Sequence, residues 1–305
     1  MTEQCTRAEG QGPTCDLRLS VVVLTYNRSA EVRATVASLL ALPDRPRIIV
    51  VDNASSDNTV GMLSAAFSTI EIVCSPANIG AAGRNLGVAL VATDYVAFCD
   101  DDTHWEAGSL SAAADLLDRY PAIGALNARI VVHPSGETDP TCERMRTSPL
   151  PSEGLPGPPL IGFIACACVF RTAVFRSAGG YEPRLFIGGE ETLLALDTLS
   201  RGYSIVYAHD LVLHHAPSPH RDSALRRRML ARNRALVAWL RLPLAQATGA
   251  TLAALKTFRR ERTGWQDTRK LLALIVWALV NRRLVSPRIR AMCRDVEAAE
   301  REAAN

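Results

Sequence analysis

A chain of 305 residues, 48% hydrophobic and 21% charged, has material for one large α/β domain with an appendage, which excludes a protein too polar to build a core. A net charge of +3 is too small to point to nucleic acid, although arginine is dense after His220. The eight cysteines are dispersed, which fits a reducing, cytoplasmic compartment.

Residues 1–16 are polar and lack the apolar core of a secretory signal, so the sequence predicts a disordered lead-in there and a cytoplasmic protein. From residue 17 to about 132, apolar β-rich runs alternate with longer helical patterns, the mark of βαβ units and a mainly parallel sheet. The strand-like runs are 19–24, 48–51, 70–74, 95–98 and 124–132. Apolar residues recur at helical spacing over 30–40, 59–67, 83–92 and 109–118. Residues 133–160 are rich in Pro, Gly, Ser and Thr with little periodicity, and read as a long exposed loop.

A further apolar run, 164–170, holds the one close cysteine pair, Cys166 and Cys168. They alternate as on a strand, where small buried side chains pack well, and a zinc site is disfavoured. Gly179-Gly180-Tyr181 and Gly188-Gly189 lead to Glu190-Glu191 and a helix over 192–201 stopped by Gly202. Strands over 204–208 and 211–213 follow, the second ending on His214-His215. From Ala224 onward the pattern is helical, with no internal repeat. Residues 271–280 are continuously apolar but too few to span a bilayer, which takes about 20. Lys270, Arg282 and Arg283 flank them, and Arg226, Arg227, Arg228, Arg232 and Arg234 precede them. This stretch either packs on the main domain, the reading we favour, or lies on an anionic membrane surface.

In an open α/β sheet, ligands bind beyond the carboxyl ends of the strands. Three polar clusters stand at such ends: Thr25-Tyr26-Asn27, Asp52-Asn53 and Asp100-Asp101-Asp102. The last is the most telling, because neighbouring carboxylates repel and raise one another's pKa, and three of them at a strand end call for a cation. Hard, closely spaced oxygens suit Mg²⁺ or Mn²⁺, ions that bridge proteins to substrate phosphates. The plainer alternative is a solvated acidic turn capping the helix that starts near Ala107. Asn78, Gly80, Gly83 and Asn85 form a glycine-bearing approach to a helix, where backbone can come close to a ligand and the N-terminus favours phosphate. Arg84 adds a cation there unless it faces solvent. Trp105 is either a sugar-stacking platform or a core or lid aromatic. Glu190 and Glu191 either complement a helix dipole or supply a base.

An ordered series of these motifs, from about Leu19 to His215, resembles the family 2 glycosyltransferases of the GT-A fold. It runs Val21-Val22-Val23-Leu24-Thr25-Tyr26-Asn27-Arg28, then Val50-Val51-Asp52-Asn53-Ala54-Ser55-Ser56-Asp57, then Asn78-Ile79-Gly80 with Gly83-Arg84-Asn85. Phe98 to Asp102, Gly179-Gly180-Tyr181-Glu182, Gly189-Glu190-Glu191 and His214-His215 complete it. Order and spacing carry the likeness, since any one short motif recurs by chance. Arg232-Asn233-Arg234 followed by Trp239 is similar to the helical extension of bacterial members, some of which transfer rhamnose or galactofuranose. The resemblance implies a GT-A domain over 17–216, a mainly parallel sheet flanked by helices, and a C-terminal helical extension over 217–305.

The resemblance also implies a metal-dependent, inverting transfer of a sugar from a nucleoside-diphosphate donor, UDP- or dTDP-linked, to a hydroxyl acceptor. Base and ribose then fall to Thr25, Tyr26, Asn27 and Asp52, and Asn78, Gly80, Arg84, Asn85, Asp100 and Asp101 complete the donor site. The family's D-x-D pattern maps onto Asp100, facing ribose and metal, and Asp102, the direct ligand of Mn²⁺ or Mg²⁺. Asp101 stays ambiguous, because three carboxylates allow a shift by one. One of His214 and His215 joins the metal or diphosphate. Where the family usually has Glu-Asp this chain has Glu190-Glu191, so the base falls to Glu191, longer than the usual Asp by a methylene, with Glu190 as the alternative. No nucleic-acid partner is implied, and the C-terminal helices leave room for peripheral membrane contact. A sugar-1-phosphate nucleotidyltransferase would want a glycine-rich basic loop near the N-terminus, which 29–42 lacks. A non-catalytic nucleotide-sugar-binding scaffold is favoured only by the Glu-Glu departure.

Overall fold

The computed structural model describes residues 18–217 and 223–303, so the lead-in expected over 1–16 lies outside the described residues. Valine and isoleucine dominate the first two apolar runs, which suits strands covered on both faces. β1 (Leu19–Thr25), α1 (Ser29–Leu40), β2 (Arg47–Asp52), α2 (Thr59–Ala66), β3 (Glu71–Cys74), α3 (Gly83–Leu90) and β4 (Tyr95–Asp100) follow in order. The four strands pair in parallel as β3-β2-β1-β4. The chain leaves β1 on one side and returns as β4 on the other, so strand order reverses at β1 and opens a crevice beyond the strand ends.

Next come β5 (Thr103–Trp105), α4 (Ser109–Arg119), β6 (Ile123–Val132), β7 (Glu137–Thr138), α5 (Pro140–Arg146), β8 (Pro159–Leu160), β9 (Cys168–Arg171), α6 (Thr172–Ala178), α7 (Glu190–Ser200) and β10 (Ser204–His215). β9 inserts between β4 and β6 and runs antiparallel to both, so the sheet expected to be mainly parallel is mixed. Its long pairings, including β6 with β10, are parallel, while the antiparallel ones are short.

Residues 133–160 are not a bare loop. They hold β7, α5 and β8 and bury Cys142, Leu150 and Leu160. Asp139 starts α5 by accepting from the Thr141 N–H at 2.7 Å, with Pro140 in the first turn, so residues that read as loop formers are helix-start signals. The run 164–170 is strand only from Cys168, because Ala165–Ala167 forms a 3₁₀ turn. Cys166 and Cys168 are both buried, and burial pushes both thiols up. Runs 204–208 and 211–213 are one strand, β10, with a register shift between Ala208 and Val212. β5 and α6, at three and seven residues, are too short to show a period in the sequence.

Beyond β10 lie α8 (Ser223–Arg241), α9 (Leu244–Arg260), α10 (Gly264–Val280) and α11 (Pro287–Ala303). Leu236, Leu240, Phe258 and Leu271 form a second core with Leu185, Leu193 and Leu196, while Leu194 and Ala195 belong to the core around the sheet. Helix α7 therefore serves both. Residues 271–280 form the second half of α10, packing one face through Leu271 and Ala278 and leaving the other exposed. Among the described residues no helix is long and apolar enough to cross a membrane.

Candidate active site

β1 and β4 stop level with one another, Leu24 beside Asp100. The turn after β4 is fixed by the Thr103 hydroxyl, which accepts from the Asp100 N–H at 2.9 Å, and by the Thr35 hydroxyl, which donates to the Asp101 carbonyl at 2.9 Å. The three carboxylates then find different partners. Asp100 pairs with Arg84, which is buried with its guanidinium 5.7 Å from the Tyr181 ring centre. Asp101 accepts from the Thr25 hydroxyl at 3.0 Å and from Arg28 at 3.2 Å. Asp102 accepts from the same Arg28 nitrogen at 3.1 Å and lies 3.6 Å from Nε2 of His215.

Burial pushes the Asp101 carboxyl up to about 7, against the pull of Arg28 and with the push of Asp100 and Asp102. Burial acts the same way on Asp102, but there the His215 and Arg28 contacts outweigh it and hold the carboxyl below the usual range. Three carboxylates face two guanidinium groups. When all are ionised, the cluster is short of one positive charge.

β2 ends on Asp52, register partner of Thr25. One Asp52 oxygen accepts from the Ser55 N–H at 3.0 Å, while Oδ1 is buried without a partner. An unpaired buried acceptor is costly unless a ligand's N–H or O–H meets it. Asn27, at φ +53, ties the end of β1 to the β2 loop by accepting from the Ser56 N–H at 2.7 Å, and Tyr26 is exposed beside it. Asn53 organises the next loop: it donates to Asn78 Oδ1 and the Gly80 carbonyl, both at 3.0 Å, and accepts from the Ile79 N–H at 3.1 Å. The Phe186 carbonyl accepts from the Ala81 N–H at 2.7 Å. Only glycine fits at position 80, because a Cβ there would stand 2.1 Å from that carbonyl oxygen.

α7 opens with Glu190 and Glu191 after a hinge of Gly188 and Gly189, whose φ values are +83° and +92°. α8 leans on this hinge: a Cβ on Gly188 would stand 2.5 Å from Leu230, and one on Gly189 3.1 Å from Asn233. The buried Asn233 amide donates to the carbonyls of Leu185 at 2.6 Å, Ile187 at 3.0 Å and Gly188 at 2.5 Å. Arg232 donates to Asn233 Oδ1 at 2.8 Å, which fixes the way the amide faces. Within the clamped segment, Phe186 has φ 62° and ψ −67°, and the Ile187 N–H donates across it to the Leu185 carbonyl at 2.8 Å. This is the strained form of the γ-turn.

Glu191 accepts from the Ala165 N–H at 2.6 Å, and the turn carrying Ala165 is set by buried Asn127, which accepts from the Ile164 N–H at 2.6 Å. Burial pushes the Glu191 carboxyl up to about 7, the charge of Glu190 adding to the shift and the Ala165 N–H opposing it. The charges of Arg84 and Asp100 also act on Glu191, so it lies within the field of the aspartate cluster. Glu190 is buried, its pKa raised chiefly by that burial, and its Oε2 has no partner.

Residues 20–178 match the family model for glycosyl transferase family 2. This chain belongs to that family. Relatives of this family 2 glycosyltransferase include N-acetylglucosaminyl-diphospho-decaprenol L-rhamnosyltransferase of Mycobacterium tuberculosis, 26% identical over 243 residues, 68% of this chain and 79% of that one. The pre-mycofactocin glycosyltransferase of the same organism is 30% identical over 211 residues, 63% of this chain and 42% of that one. Solved structures similar to it include S. aureus TarS 1–349, with a TM-score of 0.59, 19% identity and coverage of 90% and 83%. The mannosyltransferase PcManGT from Pyrobaculum calidifontis, in complex with GDP-Man and Mn²⁺, has a TM-score of 0.56, 19% identity and coverage of 89% of each chain. At those identities the likeness shows the fold, which is GT-A.

In this family 2 glycosyltransferase, Thr25, Asp52, Asp100, Asp101, Asp102, Arg84 and His215 gather at the strand ends, with Tyr26 and Asn27 bordering them. His214 does not join them. Its ring bonds His133 at 2.9 Å and Glu106 at 3.1 Å and stacks on His104 at 4.9 Å, because successive residues of β10 face opposite sides of the sheet. Asn85 closes a pair of hydrogen bonds with the Tyr181 backbone, donating at 2.7 Å and accepting at 3.0 Å, and Asn78 and Gly80 serve their loop through Asn53 and Phe186. Trp105 is a core residue, its indole N–H donating to the Phe98 carbonyl at 3.2 Å. Among the described residues, no three His, Cys, Asp or Glu side chains form a ready-made metal site. Arg28, Asn53, Asn127 and Asn233 are site-builders to which the sequence reading gave no individual role. Arg28 closes the Thr25-to-Arg28 run, Asn53 follows Asp52 and Asn233 sits in Arg232-Asn233-Arg234, so three of the four lie inside motifs the sequence displays.

Proposed function

We propose that this glycosyltransferase, acting in the cytoplasm, moves a sugar from a nucleoside-diphosphate donor, UDP- or dTDP-linked, to a hydroxyl acceptor with inversion, using Mn²⁺ or Mg²⁺. The observation that carries the reading is three aspartates gathered at the strand ends against two guanidinium groups, with Glu191, a carboxyl pushed up to about 7, inside their field. In this reading the GT-A domain covers 17–216 and the extension 217–305. The described cysteines are all free, in keeping with a reducing compartment. Similar folds solved with UDP-GlcNAc in TarS and with GDP-Man and Mn²⁺ in PcManGT support a nucleotide-sugar donor and a divalent ion.

Asp52 Oδ1 takes an N–H of the base or a ribose hydroxyl, beside Thr25, Tyr26 and Asn27. Burial disfavours the Arg84 cation, but Asp100 outweighs it and keeps the guanidinium charged next to the donor. Asp102 and His215, a carboxylate oxygen and an imidazole nitrogen 3.6 Å apart, are the pair that would hold a divalent ion, and Asp100, paired with Arg84 here, would have to turn towards it to complete the set. When bound, such an ion offsets the charge on the departing nucleoside diphosphate. Glu191 removes the acceptor hydroxyl's proton as its oxygen attacks the anomeric carbon. The new C–O bond forms on the face opposite the breaking bond to diphosphate, so the centre inverts. A carboxyl near 7 suits this work, since it is partly ionised at neutral pH and basic enough to hold the proton. Glu190 is the alternative base.

Calorimetric titration with UDP, dTDP and GDP, each with and without Mn²⁺, tests the reading. One diphosphate should bind in a Mn²⁺-dependent way and lose at least about a hundredfold in affinity in Asp102→Ala. A folded protein that binds none of them, or a variant that binds as the parent does, overturns the donor site.

A further inference from the structure

α10 exposes a row of large apolar side chains that sugar transfer does not use: Trp265 at 78%, Leu272 at 56%, Val276 at 64%, Leu279 at 46% and Val280 at 81%. Their spacing follows one face of a helix, with Arg269 in the interval after Trp265. The opposite face is occupied, since Leu271 and Ala278 are buried and Trp277 receives the Arg184 guanidinium 4.6 Å from its ring centre. From Leu271 to Val280 the sequence contains no polar residue, and Leu284, 57% exposed, extends the apolar surface. A contiguous exposed stripe of this kind marks an interaction surface.

Charge decides what covers it. Residues 217–305 carry nineteen Lys and Arg against seven Asp and Glu, whereas 1–216 carry fifteen against twenty-four. The modest net charge therefore hides a strongly basic end joined to an acidic catalytic end. Arg269, Lys270 and Arg283, all exposed, bracket the stripe. A second copy docked through the same face would set basic end against basic end, which repels. An anionic lipid surface complements both features, headgroups meeting the cations and acyl chains the apolar row. At 17 residues α10 is about 25 Å long and does not cross a bilayer, so the matching geometry is a helix lying in the interface plane. We propose that the outer face of α10 docks on an anionic membrane and holds the protein there peripherally. The inference does not depend on the transfer chemistry.

Flotation of the full chain with vesicles of phosphatidylcholine, alone or mixed with phosphatidylglycerol, tests this. The protein should float with the mixed vesicles only, release in high salt, and show a blue shift of tryptophan emission that Trp265→Ala removes. Val276→Asp with Val280→Asp, both at exposed positions, should lower partitioning at least about tenfold, as should Arg269→Glu with Lys270→Glu. Diphosphate binding should be unchanged in both double variants. Protein that stays unbound at low salt overturns the proposal, as does binding that both double variants retain. A dimer that Val276→Asp with Val280→Asp dissolves, without vesicle binding, overturns it in favour of a self-interface.

Discussion

The side of the site proposed to take the donor, the donor side, and the side proposed to carry the base, the base side, are held in different ways. The donor side forms where parallel strands stop, so Thr25 stands in register with Asp52 and Leu24 with Asp100, and the sheet's own ladder keeps them level. The base side hangs on a glycine hinge with no strand beneath it, fixed by an Asn233 amide that lies 45 residues along the chain from Gly188. A side built on a sheet needs no outside support, whereas a side built on a hinge is only as well placed as its clamp. The extension thus holds the segment that leads into Glu190 and Glu191, the proposed base.

Glu191→Gln separates the two sides most sharply: turnover should fall about a thousandfold while Mn²⁺-dependent diphosphate binding, read by calorimetry, is retained. Loss of that binding would move Glu191 to the donor side. Asn233→Ala should come next, with kcat down about 10- to 100-fold and donor KM unchanged, because a slack hinge misplaces the base. A matching rise in donor KM would erase the distinction between the sides. Within the donor side, His215→Ala should raise the Mn²⁺ concentration for half-maximal rate about tenfold, and His214→Ala by less than about twofold. Equal effects in a metal titration would mean that both rings reach the cluster.

A separate effect is on stability. The Glu191 carboxyl sits at about 7 in the folded protein against an ordinary 4.5, so between those values the folded state holds a proton that the unfolded chain has released. Stability therefore falls as pH rises through that window, and the full penalty applies above about 7. Glu191→Gln should be more stable than the parent by on the order of 2 kcal/mol above that window and equal to it below, in thermal melts across pH. The parent's kcat/KM should climb towards pH 7 and level off, a limb that Glu191→Gln lacks.

The polar strand ends were largely legible in the sequence because their signals are local. Val21 to Leu24, Val50 and Val51, and Tyr95 to Cys99 are uninterrupted apolar runs, each followed directly by its polar end. Charge crowding at Asp100 to Asp102 was equally plain, but the partner was not. Arg28 reaches two of those carboxylates from the loop after β1, a contact 73 residues apart for Asp101, and nothing in the spacing encodes it. The alternation of His214 and His215 follows from strand period alone once β10 is known to run unbroken through both. Asn233 was hidden by its neighbours, since an asparagine between two arginines reads as a solvated face although its side chain is wholly buried. The fold of 133–160 was missed for a related reason: Asp139 and Pro140 act by position, as a cap and a first turn, and composition averages position away.

Phe186 gives one peptide unit to two loops. Its left-handed conformation is one that a bulky residue adopts only under constraint, and the bond from its carbonyl to the Ala81 N–H joins the Asn78–Gly80 loop to the segment leading into Glu190 and Glu191. The two loops share that one hydrogen bond. If a donor settles against the first loop, as proposed, that contact gives it a route to the second, and product-inhibition patterns showing donor before acceptor would bear this out while random order would refute it. Gly80 is what lets the two loops meet, since any side chain there would collide with the Phe186 carbonyl and part them.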